Sequence, residues 1–254
     1  FILKLKMNFV KIAMWSGPRN ISTALMRSFE NRDDTFVTDE PLYGHYLKQT
    51  KIDHPMKNEI INSSDTNWKS ISKFLTGDIP NNKSIWYQKH MAQHNLDGCD
   101  VSWIKNTINC FLIRDPKLVI ASYGKNFSIT DERLLGFIQQ VELLKMVEDK
   151  TGETPPILDA NDILIDPEGM LKKLCKRIAI PFSFKMLEWP SGSRDSDGVW
   201  APYWYSHVER STGFKPYVEN NIVLDDSLIS IYEKCDRHYK ILWRKRIIRD
   251  SLSR

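Results

Sequence analysis

The sequence predicts an α/β fold in three layers, with a central parallel sheet between two layers of helices. Three observations predict it. Short apolar runs of strand length recur along the chain. Amphipathic stretches of helical period separate them. The first run passes through a tight loop directly into a helix. Strands that alternate with helices imply parallel neighbours joined by crossovers, and continuous rather than alternating apolar runs suit a sheet covered on both faces.

The first strand falls in residues 10–15, where Val10, Ile12, Ala13, Met14 and Trp15 form an apolar run. Ser16, Gly17 and Pro18 end it, and Ala24, Leu25, Met26 and Phe29 return at helical spacing. Residues 35–38 form a second strand that ends at Asp39, Glu40 and Pro41, and Pro41 is placed to start a helix carrying Leu42, Tyr43, Tyr46 and Leu47. Residues 48–66 are polar and read as loop or short helices, residues 68–75 as a helix, and residues 77–83 as turn. A third strand covers 84–88 and runs into Lys89, His90 and Met91, and a fourth covers 109–113 and ends at Arg114. Pro116 opens a helix to residue 125, and residues 131–150 carry a long amphipathic helix with Leu134, Leu135, Ile138, Val141 and Leu144 on one face. A fifth strand follows at 155–160 and a Pro-initiated helix at 167–178. Residues 188–217 fit no period and are rich in Trp and Tyr, which marks a functional loop or lid. Residues 225–246 close the fold as a helix with a basic end, read as a solvated helix whose cations suit its C-terminal dipole. One domain over 1–254 is expected.

Composition limits the function classes. The chain has 254 residues, 41% of them hydrophobic, enough for a large core. Its net charge of +4 does not make a nucleic-acid binder, but suits a polyanionic ligand. Cys99, Cys110, Cys175 and Cys235 form no C-x-x-C pair, so reduced thiols in a cytoplasmic protein are the simple reading, with neither zinc nor disulfides. No run is long enough for a membrane span. The opening stretch, residues 1–7, is apolar and basic but shorter than a signal peptide, and Met7 is a candidate start.

Two stretches carry chemistry. Residues 10–25 place Gly17, Arg19, Asn20, Ser22 and Thr23 between a strand and a helix N-terminus. Loop N–H groups and the positive end of the helix dipole meet one anion there, Ser22 and Thr23 offer hydroxyls, and Arg19 offers a bidentate fork. The G-x-x-x-x-G-K-[ST] pattern is absent, so the phosphate-binding Lys and its magnesium chemistry are not expected. The second stretch pairs Arg114, at a strand's carboxyl edge, with Ser122 eight residues on, in the following helix. The plain structural alternatives are an ordinary strand–turn–helix corner and a surface Arg114–Asp115 pair.

In these two stretches the chain resembles the sulfotransferases that use 3′-phosphoadenosine-5′-phosphosulfate (PAPS). SGPRNISTAL resembles their 5′-phosphosulfate loop, with Arg19 where the cytosolic enzymes carry Lys, and IRDPKLVIASYGK resembles their 3′-phosphate element. The resemblance implies a P-loop NTPase-like sulfotransferase architecture, sulfuryl transfer from PAPS to a hydroxyl or amine of a small-molecule acceptor, PAP as product, and no metal. It implies donor-binding roles for Gly17, Arg19, Asn20, Ser22, Thr23, Arg114 and Ser122, with Arg210 in a stretch, residues 210–214, that returns to the nucleotide. Arg19 is also the expected catalytic cation. Two residues compete for general base. Lys89-His90-Met91 resembles a Lys-x-His segment, and Asp39-Glu40-Pro41 resembles a Glu-Pro that supplies a carboxylate base in some bacterial members. His90 is favoured because imidazole titrates near neutral pH, whereas Glu40 needs burial to raise its pKa. No nucleic acid or membrane partner is expected, and a homodimer is left open. A kinase-like phosphotransferase and a non-catalytic nucleotide-binding protein are the competing readings.

Overall fold

The computed structural model describes residues 9–218 and 221–250; the N-terminal stretch with Met7 lies outside them. Five parallel strands form one sheet in the order β2-β3-β1-β4-β5. They are β1 (Val10–Ser16), β2 (Thr35–Asp39), β3 (Ile85–Met91), β4 (Ile108–Ile113) and β5 (Ile157–Asp159). Successive strand residues face opposite sides, and β1 divides cleanly. Ile12 and Met14 join a core with α1 (Ser22–Glu30), through Leu25, Met26 and Phe29. Ala13 and Trp15 join the opposite core, which α4 (Trp68–Thr76) and α6 (Phe137–Thr151) supply with Leu75 and Leu143. The first core is completed by α7 (Ala160–Ile165) and α8 (Pro167–Arg177), through Ile163 and Met170, and the second by Leu242 of α11 (Ile229–Trp243). Helices therefore cover both faces of the sheet. Among the described residues no helix is long and apolar enough to cross a membrane.

Four expectations need adjustment. The third strand continues past residue 88 to Met91. The helix expected over 131–150 is broken. Glu132–Leu135 is a 3-10 turn, Gly136 takes φ +76°, and only then does α6 begin. The break comes from close packing: a Cβ on Gly136 would sit 2.9 Å from Gln93 Oε1 and 3.2 Å from the Gly17 Cα. Helix α7 follows β5 without a loop, because Asp159 caps it by accepting from the Asn161 N–H at 2.8 Å. Helix α2 (Tyr43–Thr50) starts two residues after Pro41, and α3 (Lys57–Ser63) and α5 (Pro116–Tyr123) follow the predicted order.

The irregular aromatic stretch folds back on itself. Glu188 bridges Gly213, and Gly192 N–H donates to Glu209 O at 2.7 Å. Between them lie two single-turn helices, α9 (Ala201–Trp204) and α10 (Ser206–Glu209). The stretch is fastened to α1 by Arg27, 1% exposed, whose Nη2 lies 2.7 Å from Asp197 Oδ2.

Candidate active site

The carboxyl edge of the sheet opens into a cavity of about 450 Å³, lined by the loop after β1, by Glu40, Lys89 and Arg114 at strand ends, and by the 200–218 stretch. In an open parallel sheet this edge is where ligands bind.

The loop after β1 is shaped by a close approach, a hydrogen bond and two left-handed residues. Gly17 does not line the cavity; it is pressed against the neighbouring turn, where an added Cβ would lie 2.5 Å from Leu135 O. The Asn20 amide donates to Leu112 O at 2.9 Å and so ties the loop to β4. Arg19 and Ile21 both hold left-handed backbone, φ 61° and 54°. Such residues curl a chain so that its N–H groups converge, as in anion-binding nests. Non-glycine residues hold that conformation at a cost of about 1–3 kcal/mol each, and it clusters at ligand clamps. Ser22 and Thr23 then open α1 with unpaired first-turn N–H groups beside the cavity.

Arg19, Arg114 and Ser122 converge. Arg19 Nε donates to Ser122 Oγ at 2.9 Å, and Arg114 Nη1 donates to the Arg19 carbonyl oxygen at 2.7 Å. Burial lowers the pKa of both arginines, and the Arg19 charge lowers that of Arg114 further. Among the described residues neither enters an ion pair, and Arg114 Nε is buried without a partner. The Asp159 and Asp115 charges offset part of the lowering at Arg114, but neither carboxylate pairs with it, so the two half-buried like charges are free to take up an anion.

The other end of the cavity is built on Glu40 and Lys89. Lys89, 1% exposed, donates to Asp39 Oδ1 at 2.8 Å, Glu40 Oε1 at 2.6 Å and the Tyr205 hydroxyl at 2.7 Å, which uses all three ammonium protons. Tyr205 in turn donates to Asp39 Oδ2 at 2.7 Å and accepts from Trp200 Nε1 at 3.1 Å. The 200–205 stretch is thus locked to the strand edge. Burial raises the Glu40 pKa, the Lys89 ammonium offsets part of the rise, and the Asp39 charge adds to it. Glu40 itself stands at φ 40°. Aromatic rings line this end: His94 stacks on Tyr43 at 4.5 Å and on Tyr46 at 4.7 Å, and Trp200 meets Tyr43 edge-on. Burial holds His94 well below the usual imidazole value, so its 3.9 Å approach to Glu40 Oε2 brings a neutral ring to the carboxylate.

The structure does not bring every expected residue together. His90 lies outside the cavity. Its neighbour Lys89 points to the α1 face of the sheet, so His90 points to the other, where it stacks on Trp15 at 4.4 Å and meets Trp103. It is 1% exposed, and burial pushes its pKa down to about 3. Arg210 is exposed and does not line the cavity; Lys215, five residues on, does. Sequence reading missed Lys89, Tyr205, His94 and Lys215. The Lys89 signal was the strand continuing beyond residue 88, which fixes alternate faces for Lys89 and His90.

The comparisons with known proteins agree with this fold. The Sulfotransferase domain family matches residues 10–231. The "Sulfotransferase Domain from the Curacin Biosynthetic Pathway" superposes with a TM-score of 0.53 at 13% identity, covering 89% of this chain and 97% of that one. The "Sulfotransferase Domain from the Synechococcus PCC 7002 Olefin Synthase" gives 0.52 at 15% identity, covering 89% and 94%. In sequence, the Arabidopsis thaliana "Branched-chain-amino-acid aminotransferase-like protein 2" is 36% identical over 206 residues, 80% of this chain. The matched region spans 36% of that protein's length. The family match over residues 10–231, on a chain with the same parallel-sheet fold as these structures, shows that it belongs to the sulfotransferase domain family.

Proposed function

We propose that this chain transfers a sulfuryl group from PAPS to a hydroxyl or amine of a small-molecule acceptor, with Glu40 as the base. The observation that carries the reading is the pair of arginines, Arg19 and Arg114, joined through Ser122 and the Arg19 carbonyl without a carboxylate partner. PAPS, when bound, supplies a transferable sulfuryl group and a 3′-phosphate that ATP lacks. The residues present fit it. The orphaned Arg114 Nε and Ser122 are the grip for the 3′-phosphate, and the Pro18–Thr23 loop with the start of α1 is the grip for the 5′ end.

Each residue has a role at a stated atom. The Arg19 guanidinium offers a fixed cation to the oxygen atoms that gain charge as the sulfuryl group leaves, and a preorganised charge in a dry site is commonly the largest catalytic contribution. Glu40 receives the acceptor's proton on its carboxylate, and its raised pKa makes it a stronger base than an exposed Glu. Lys89 and Tyr205 keep that carboxylate in place. Tyr43, Tyr46, Trp200 and Trp204 exclude water from the acceptor end. Glu40 is preferred to His90 because it lines the cavity and His90 does not.

The test uses PAPS labelled in its sulfuryl group, a panel of phenols, alcohols and amines, and three proteins: wild type, Glu40→Gln and His90→Asn. Wild type and His90→Asn should transfer label at similar rates, and Glu40→Gln about 10²–10⁴-fold more slowly. Label transferred equally by Glu40→Gln removes Glu40 as the base. No transfer to any member of the panel by wild type counts against the reaction itself.

A further inference from the structure

A second cavity, of about 210 Å³, adjoins the first, and Tyr46, Gln93 and Leu134 line both. Its unpaired buried polar atoms are all acceptors. Gln93 Oε1, Asn95 Oδ1 and Gln139 Oε1 are buried acceptors without a partner, and all three residues line it. Gln139 is 6% exposed, and its amide nitrogen donates to Arg133 O at 2.9 Å, which leaves its oxygen as the free atom. Asp97 and Asp131 add carboxylates to the lining. The one lining cation, Arg133, is 40% exposed and faces Asp97 at 3.6 Å and Glu142 at 3.5 Å, which leaves Asp131 as the lining carboxylate with no ion pair among the described residues. Buried acceptors that lack donors are costly, and native structures satisfy nearly all of them. Gly136 makes room for this arrangement, since any Cβ there would meet Gln93 Oε1.

We propose that this cavity is the subsite for an ammonium group on the acceptor, so that the acceptor is an amine-bearing alcohol or phenol with its reacting hydroxyl toward Glu40. An alkylammonium carries three donors and no acceptor, which matches three free carbonyl oxygens beside carboxylates. A carboxylate or sulfate ester at the same point would face three unpaired amide oxygens and the Asp97 and Asp131 carboxylates, with Arg133 already set against Asp97 and Glu142. Between the two polar ends run Tyr46 and Leu134, which suit an apolar or aromatic linker. The inference rests on the sulfotransferase reading for the acceptor end and on the second cavity's own chemistry for the amine.

The probes are 4-(ω-aminoalkyl)phenols with one to six methylenes and the 4-alkylphenols of equal length. Each is titrated by calorimetry into the protein, free and loaded with PAP. At one chain length the amine should bind at least tenfold more tightly than its alkyl twin. Gln139→Leu and Asn95→Leu should each lose most of that preference at unchanged PAP affinity, and Gln139→Glu, which adds a carboxylate, should strengthen it. Amine and alkyl twins that bind alike at every length mean that the cavity holds water only and overturn the proposal, as does a preference that survives both Leu variants. Failure to bind PAP sinks the donor reading alone, because the amine preference of the free protein still decides the subsite.

Discussion

Replacing Arg114 with Ala separates a 3′-phosphate site from a general electrostatic attraction. In the folded chain Arg114 does two things. It donates Nη1 to the Arg19 carbonyl at 2.7 Å, and it leaves Nε buried and free. Loss of the first contact loosens the loop for any nucleotide; a hydrogen bond of that kind contributes about 1 kcal/mol, or roughly fivefold in affinity. Loss of the grip on the 3′-phosphate removes a charge-assisted interaction of about 1.5–3 kcal/mol, a further factor of about 10–150. PAP should therefore weaken by about 50–700-fold, and adenosine 5′-phosphate, which has no 3′-phosphate, by about fivefold. Calorimetric titration of wild type and Arg114→Ala with both nucleotides, at one ionic strength because exposed charge is screened by salt, reads the two factors directly. Equal losses for the two nucleotides would refute the assignment of Arg114 to the 3′-phosphate.

Four other outcomes are expected. Glu40 is a base only when ionised, and burial has raised its pKa, so kcat/KM should climb with pH through a limb that lies above the ordinary carboxylate range. Lys89→Met removes the cation 2.6 Å from Glu40 and leaves the Asp39 charge beside it, so that limb should move to higher pH; a limb that stays in place excludes Glu40 as its source. Gly17→Ala drives a Cβ to 2.5 Å from a backbone oxygen that cannot rotate away, which should cost about 1–3 kcal/mol of stability, lower the Tm by several degrees and weaken PAP binding; a wild-type Tm and affinity would contradict the close packing. Asp197→Asn unpairs the buried Arg27 from the 188–217 stretch while Glu30 still holds it at 3.1 Å. Thermal melting should show a loss of about 1–3 kcal/mol, and the acceptor KM should rise at constant PAP affinity, because the stretch carries Trp200 and Tyr205; unchanged acceptor kinetics would show that this anchor does not serve the site.

Much of the fold was legible because its signals are local. Short apolar runs bounded by Gly, Pro and Asp mark strands, and the five strands stand where those runs are. What could not be read depends on contacts between distant residues. The break at Gly136 follows from its packing on Gly17 and Gln93, which no period announces. Helix α7 hides in a sequence, residues 160–165, too short to show a period. At the candidate site, the residues that meet as expected are those tied to strand ends: Arg19, Glu40, Arg114 and Ser122 all reach one cavity. His90 does not, and the period of two explains it. Once β3 extends to Met91, Lys89 and His90 must face opposite sides of the sheet, and the Lys side holds the cavity. Lys215 in place of Arg210 reflects the irregular path of the 188–217 stretch, where spacing carries no geometric meaning. The Lys89–Asp39–Glu40–Tyr205 network joins two strands to that stretch, and only the folded chain shows it.

The most direct test of sulfuryl transfer from PAPS is the choice of nucleotide. Purified protein is titrated by calorimetry with PAP, with PAPS, and with ATP in the presence of magnesium. The arrangement of Arg19, Arg114 and Ser122 predicts one site per chain, with PAP and PAPS bound at least tenfold more tightly than ATP–magnesium. ATP–magnesium bound as tightly as PAP, or more so, would contradict the reading and place the chain among phosphotransferases or nucleotide-binding proteins instead.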